Sequence, residues 1–462
     1  MNAILTGVQA NEAIVVDEPT RKDLKRVVII GGGFAGIATA RALRRSNAEI
    51  VLIDRRNHSI FQPLLYQVAT AVLSPADIAA PLRQLEATQP NLLVLMAEVT
   101  DINLARRTVS ASKSGGGVRT IAFDFLVVAT GMRPSYFGHD EFARHAPGLK
   151  TLTDAEAIRA KILGAFERAA ATNNEIERTR QMTFVLVGAG PTGVELAASL
   201  AQLAKVTLRG NFRRIDPSHA RIVLLDAAKR VLPTFAESIS RKATKRLEKL
   251  GVEVLTDVKV EKVDEQGVIA AGSRIPSATV LWTAGVAASS IVSQLGAGAD
   301  RAGRILVEPH LNVNGLQSVF VVGDASSLVS DGRPVPGVAQ AAIQQGRYVG
   351  ELISRELRGE KIPGPFRYFD KGSMAVVGKN FAVLERGRLR TSGFFTYLAW
   401  AFIHVLFLPQ MQNRLRVQRQ WLWSYFTGER GSRLISEPSL TAAEPSQSEA
   451  MVPNARPREA VS

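Results

Sequence analysis

Two copies of one glycine pattern constrain this chain more than any other feature. Gly31-x-Gly33-x-x-Gly36 follows the β-branched run Arg26-Val-Val-Ile-Ile30, and Gly188-x-Gly190-x-x-Gly193 follows Met182-Thr-Phe-Val-Leu-Val187. Each run reads as a parallel strand buried on both faces. Each glycine turn leads into residues of helical composition, Ala35 to Arg45 and Val194 to Ala204. A tight turn, a close backbone approach to a pyrophosphate and a close helix–strand contact each require glycine at one of the three positions. The helix start then offers free N–H groups and positive dipole to the phosphates.

The surroundings repeat with the pattern. A second strand ends in an acid in both copies, at Asp54 and at Asp226, where a carboxylate accepts hydrogen bonds from an adenosine ribose. In the second copy a basic insert, Lys205 to Ala220, stretches the spacing to that acid. A later strand in each copy ends in small residues, Phe125 to Gly131 and Thr279 to Gly285, and both glycines join the expected cofactor contacts. A further strand, Ser318 to Asp324, closes on Gly323 and Asp324. That acid suits a flavin ribityl hydroxyl, or the N-cap of the next helix. Two fingerprints imply two dinucleotides, and a bound flavin with a diffusible nicotinamide is the economical pair, because a hydride donor needs an acceptor beside it.

The expected fold is therefore α/β, with two Rossmann-like dinucleotide-binding domains, the second inserted in the first. Residues 24–152 and 300–365 form the flavin domain and 153–299 the nicotinamide domain. A C-terminal part, 366–435, carries strands and amphipathic helices. The ends, 1–23 and 436–462, read as a flexible extension and a disordered tail rich in Ser, Pro, Glu and Ala.

Composition removes several chemistries. The 462 residues include no cysteine, so no disulfide, thiolate-held metal, cysteine-held iron–sulfur cluster or thiol nucleophile is available. No metal site is assigned. A net charge of +15 favours an anionic partner. No nucleic-acid-binding motif accompanies it, so an anionic membrane surface is preferred to nucleic acid.

Three further stretches carry a resemblance: Phe61-Gln-Pro-Leu-Leu-Tyr-Gln-Val-Ala-Thr70, Ala339-Gln-Ala-Ala-Ile-Gln-Gln-Gly346 and Asp370-Lys-Gly-Ser-Met-Ala375. With the fingerprints, they resemble the type II NADH:quinone oxidoreductases, single-subunit flavoenzymes that do not pump protons. The resemblance spans roughly 25–433. It implies FAD on Gly31, Gly33, Gly36, Asp54, Gly131, Gly323 and Asp324. It implies NADH on Gly188, Gly190, Gly193, Glu195, Asp226 and Gly285, with Asp226 preferring the free 2′-hydroxyl. A membrane quinone, ubiquinone or menaquinone, would meet Gln340 and Gln344, four apart on one helix face. Glu195, read as lying in the first helical turn, suits either the helix dipole or a place beside the nicotinamide. Thiol-dependent relatives are excluded. A soluble NAD(P)H-dependent ferredoxin- or rubredoxin-type reductase is the alternative.

The C-terminal part separates these readings. Phe394 to Leu408 is the longest apolar stretch, and arginines interleaved with Trp421, Trp423 and Tyr425 follow it. At 1.5 Å per residue, about 15 residues reach roughly 22 Å, short of the ~30 Å hydrocarbon core. The segment is expected to lie on the membrane as interfacial helices, or to form a helix pair that makes a homodimer. Basic charge points to the cytoplasmic side of the inner membrane. On this reading, truncation after Leu389 should release a folded, soluble enzyme.

Overall fold

The computed structural model describes residues 24–113 and 116–435. Both terminal segments expected to lack structure fall outside the described residues. Two parallel sheets sit at the centre. In the first, Lys25–Ile30 lies between Ala48–Asp54 and Phe125–Val128, all parallel. Leu316–Val321 returns beside Phe125–Val128, so the sheet takes strands from both ends of the second unit's sequence. In the second, Thr183–Val187 lies between Arg221–Asp226 and Thr279–Trp282. Each fingerprint thus leaves a strand whose two neighbours diverge in connection, the switch point where open α/β sheets bind ligands.

The strands earn these positions by being apolar on both faces. Val27 and Ile29 enter one core cluster, Val28 and Ile30 another. In the second sheet Phe184 and Leu186 face one side, Val185 and Val187 the other. The first fingerprint helix, Phe34–Ala42, packs closely on the long helix Ala339–Leu357. Glycine permits this approach: a Cβ on Gly346 would lie 2.2 Å from Ala35 O.

Several elements were not expected. The first sheet is extended by an antiparallel ladder, Leu92–Asn103, Thr108–Lys113 and Val118–Ala122. A 20-residue helix, Leu152–Ala171, opens on a reciprocal capping box between Thr151 and Asp154. The strand expected from Ser373 is a three-stranded antiparallel sheet: Ser373–Val376, Ala382–Arg386 and Leu389–Gly393.

Two helices follow, Phe394–Phe407 and Met411–Thr427. They are built into the body. Trp400, Leu408 and Val417 are buried in the large core cluster. Trp421 Nε1 donates to Gln67 Oε1 at 2.7 Å, and Asn413 Nδ2 donates to Ala79 O at 2.9 Å. Beyond them, Arg430 is buried and donates to Thr70 O at 2.7 Å and Ser199 O at 3.0 Å. The basic insert meets this segment: Thr207 Oγ1 donates to Gly428 O. Truncation after Leu389 would open the core and strand these partners, so it would not leave the folded, soluble fragment expected from sequence. The opposite faces of the two helices carry Phe395, Phe402 and Phe426 at 84%, 69% and 77% exposure. Among the described residues no helix is long and apolar enough to cross a membrane.

Candidate functional site

The two fingerprints fold alike. In the first, Gly31 has φ +106° and a Cβ there would lie 2.4 Å from Ala129 O. A Cβ on Gly36 would lie 1.9 Å from Gly31 O. In the second, Gly188 also has φ +106°, its Cβ would meet Ala284 N at 2.5 Å, and a Cβ on Gly193 would meet Gly188 O at 1.8 Å. The middle glycines differ in kind. A Cβ on Gly33 or Gly190 would meet no protein atom within 4 Å. Each is the N-cap of its helix and makes no side-chain cap, which leaves the first N–H groups free toward that open space.

The acids complete each cradle. Asp54 Oδ2 accepts from Gly32 N–H at 2.7 Å and Oδ1 from Arg56 N–H at 2.8 Å. Asp226 Oδ2 accepts from Ala189 N–H, and Oδ1 from Ala228 N–H at 2.7 Å. Backbone donors therefore aim both carboxylates along the rim of their own glycine turn. The spacing stretched by the insert has not displaced Asp226.

The first cradle also contains polar atoms that protein does not satisfy. Thr130 Oγ1, buried beside Gly131, has no hydrogen-bond partner among the described residues. Asp324 lies inside a short 3-10 turn, Gly323–Ala325, and caps no helix; the long helix begins at Ala339 with Val338 as its N-cap. Burial raises the Asp324 pKa, and the charges of Lys150 and Arg304 partly offset this. Gln345 holds the turn, accepting from Gly323 N–H at 2.6 Å. Gln345 and Lys150 were missed from sequence, although Gln345 stands beside Gln344 in the quoted motif. An open glycine cradle, an orphan hydroxyl and a carboxylate held in a turn fit the phosphates and polyol of FAD.

Gly285 follows strand Thr279–Trp282, where a Cβ would press into the Phe137 ring at 2.3 Å. The short strands Val286–Ala288 and Met132–Pro134 pair just beyond Gly285 and Gly131, joining the two units at their strand ends.

Glu195 does not lie in the first turn of its helix, Pro191–Gln202; that turn holds no acid. Its carboxyl is buried, with Oε1 accepting from Val376 N–H at 3.3 Å. Burial pushes its pKa up to about 8. The same burial lifts the Tyr66 hydroxyl, and the nearby Glu195 lifts it further. At neutral pH Glu195 is thus an uncharged acid, and the helix-dipole explanation fails. An acid with a raised native pKa binds more protons folded than unfolded between its ordinary value near 4.5 and about 8. Its contribution to stability therefore falls as pH rises through that window. Glu195→Gln removes the titrating group, so the variant's Tm relative to wild type should climb between pH 5 and pH 8.5. A Tm difference independent of pH would refute the buried protonated acid.

Gln340 and Gln344 spend their amides on backbone. Gln340 donates to Gly372 O at 2.9 Å and accepts from Lys371 N–H at 3.0 Å. Gln344 donates to Phe369 O and accepts from Phe369 N–H, both at 2.9 Å. The expected free amide pair is instead a clamp on segment 369–372. Lys371 Nζ stands 5.8 Å from the centre of the Phe407 ring.

A family model described as "Pyridine nucleotide-disulphide oxidoreductase" matches residues 25–346. The chain is 44% identical over 430 residues to the type II NADH:quinone oxidoreductase NdhA of Mycobacterium tuberculosis, covering 90% of each chain. It is 42% identical to the type II NADH:quinone oxidoreductase Ndh of the same organism, over 92% of this chain and 94% of that one. The fold matches NDH2 from Plasmodium falciparum in complex with NADH, with a TM-score of 0.81 at 19% identity over 88% of this chain and 99% of that one. With both cradles intact and the curated relatives matched nearly end to end, the chain belongs to the pyridine nucleotide-disulphide oxidoreductase family and, within it, to the type II NADH:quinone oxidoreductases.

Proposed function

We propose that this protein is a peripheral membrane flavoenzyme that oxidises NADH and reduces a membrane quinone without pumping protons. The observation that carries the reading is the duplicated cradle, two open dinucleotide sites of one geometry in a single chain. The curated relatives, named for this activity, favour it over the soluble ferredoxin-type alternative. The first cradle, through Gly33, Asp54 and Asp324, would hold FAD, which would supply the hydride-accepting and two-electron chemistry that links NADH to the quinone.

The chain's own residues bind and orient. Gly33 and the free N–H groups at its helix start would meet the FAD pyrophosphate, Gly31 and Gly36 let the turn close around it, Asp54 would take the adenosine ribose, and Asp324 would face the ribityl chain. Gly190 and its helix start do the same for NADH, with Gly188 and Gly193 closing the turn. Asp226 accepts from the free 2′-hydroxyl and repels a 2′-phosphate, which favours NADH. Gly131 lets the backbone pass close to the flavin, and Gly285, packed against the Phe137 ring, borders the nicotinamide site. Glu195 holds a proton at a buried carboxyl near neutral pH. Gln340 and Gln344 act as positioning residues: they hold segment 369–372, with Lys371, as one wall of the quinone site.

The exposed faces of the two C-terminal helices bring that site to the bilayer, on the cytoplasmic side of the inner membrane. Apolar burial and arginine attraction to anionic lipid then add. Replacing Phe395, Phe402 and Phe426 together by serine removes only exposed apolar area and leaves the core intact. In phosphatidylglycerol vesicles carrying a long-tailed quinone, NADH oxidation should fall at least tenfold in this variant. Its rate with a short-chain, water-soluble quinone should stay within twofold of wild type. Equal activity of wild type and variant on the vesicles would contradict the membrane reading; failure of wild type with either quinone would contradict the function.

A further inference from the structure

A cavity of about 130 Å³ lies where the second fingerprint helix, Pro191–Gln202, meets the C-terminal sheet, the last helix and the chain that follows it. None of the cradle glycines lines it. It is smaller than the ~300–1,000 Å³ of ordinary organic ligand sites. At about 30 Å³ per water it has room for roughly four waters, or for a small ion with part of its hydration.

The wall of this cavity is cationic and rich in donors. Arg430, 5% exposed, lines it and gives hydrogen bonds only to the carbonyls of Thr70 and Ser199. Those two bonds leave its other N–H donors without an acceptor among the described residues. Lys379 is the second cation; its Nζ donates to Tyr425 O and stands 4.1 Å from the centre of the Tyr425 ring. Neither cation pairs with a carboxylate among the described residues. Glu195 is the one acid on the wall, and it accepts from Val376 N–H. Burial keeps it protonated near neutral pH, while the Arg430 guanidinium, lowered by burial to about 9, stays charged. Burial also holds the Tyr66 and Tyr397 hydroxyls in their neutral form. Tyr66 Oη accepts from Gln67 Nε2 at 3.0 Å, so its own hydrogen is free to donate. Trp400 lines the cavity too, and its buried Nε1–H has no acceptor among the described residues. A buried charge without a counter-charge is costly. Water would satisfy the N–H groups and bring no charge; a metal cation would be repelled.

We propose that this cavity is a binding site for one small inorganic anion, a halide such as chloride, with Arg430 as its counter-charge and Lys379 adding to the field. Glu195 could supply the missing charge only by losing its proton, so the bound halide and the Glu195 carboxylate are alternatives. Arg430 belongs to the chain beyond the last helix and ties it to Thr70 in the first unit and to Ser199 in the second. Neutralising it should therefore strengthen the joint between the C-terminal part and both dinucleotide units. The site is independent of the membrane and quinone readings.

The test follows the Tm of full-length holoenzyme while potassium gluconate, whose anion is too large for the cavity, is replaced by potassium chloride at constant ionic strength. Screening is then fixed, and only a bound ion can move the midpoint. Wild-type Tm should rise by about 2 °C and level off, as saturation of one site implies. Arg430→Gln should start from a lower Tm, because two carbonyls lose their donor, and should show no chloride-dependent rise. Arg430→Lys restores the charge and should recover part of the rise. Crystals of the wild-type holoenzyme grown in bromide should show an anomalous peak in this cavity, beside the Arg430 guanidinium. That peak and the lysine variant decide the matter if the glutamine variant does not fold. A flat wild-type response overturns the proposal, as does an equal rise in Arg430→Gln or a cavity without bromide. A rise with inorganic phosphate in place of chloride, together with no bromide peak, overturns the halide and assigns the cavity to an oxyanion.

Discussion

Gly33→Val should yield a folded protein without flavin. The substitution places a branched side chain in the opening of the first cradle, where a Cβ meets no protein atom within 4 Å. Nothing in the chain has to move, and the backbone at φ −83° is one that valine adopts. Losing glycine at the N-cap costs roughly 1 kcal/mol, too little to unfold a chain of this size. The side chain instead fills the space that the pyrophosphate needs. FAD per chain, read from the absorbance of purified protein reconstituted with excess FAD, should fall below a tenth of wild type. The far-ultraviolet circular dichroism should be unchanged. Gly36→Val is the contrast: its Cβ would lie 1.9 Å from Gly31 O, so this variant should lose the fold along with the flavin. Full flavin content in Gly33→Val would remove the first cradle from the account.

Gly190→Val separates the two sites. The same geometry recurs there, with open space at Cβ and an N-cap lacking a side-chain partner. This variant should keep its FAD, because the first cradle is untouched, and should be reduced by NADH at least a hundredfold more slowly. Reoxidation by a short-chain quinone, after chemical reduction, should stay within threefold of wild type. Stopped-flow absorbance resolves the two half-reactions. Slowing of both by the same factor would show that the second cradle is a structural joint and not the NADH site.

These predictions were accessible from sequence because a fingerprint is local. The strand, the glycines and the helix start lie within about a dozen residues, and the periodicity of Val27 to Ile30 or Phe184 to Val187 marks burial without knowledge of the partner strands. Asp54 and Asp226 follow from the same short logic, each at the end of the next strand. The capping box of Thr151 and Asp154 was equally local, and marked a long helix that went unread.

What sequence did not reveal depends on distant segments. Burial lifts the Glu195 pKa, and the backbone N–H that partly offsets it, that of Val376, is 181 positions away. Gln340 and Gln344 read as free amides on a helix face, and they become a clamp only when segment 369–372 folds against them. The C-terminal helices read as a detachable anchor because their apolar and basic residues dominate the composition. Their inner faces, through Trp400, Val417 and Trp421, belong to the core, while the outer faces stay bare. An amphipathic pattern reports that two faces differ and does not say what meets each one.

The central claim is that one chain carries electrons from NADH, through a flavin held in the first cradle, to a quinone. Anaerobic titration of the purified full-length protein, followed by visible absorbance, tests it most directly. Flavin bands near one equivalent per chain are expected, bleached by one equivalent of NADH and restored by one equivalent of short-chain quinone. A protein that remains colourless after incubation with FAD, or a flavin that NADH does not bleach or quinone does not restore, would contradict it.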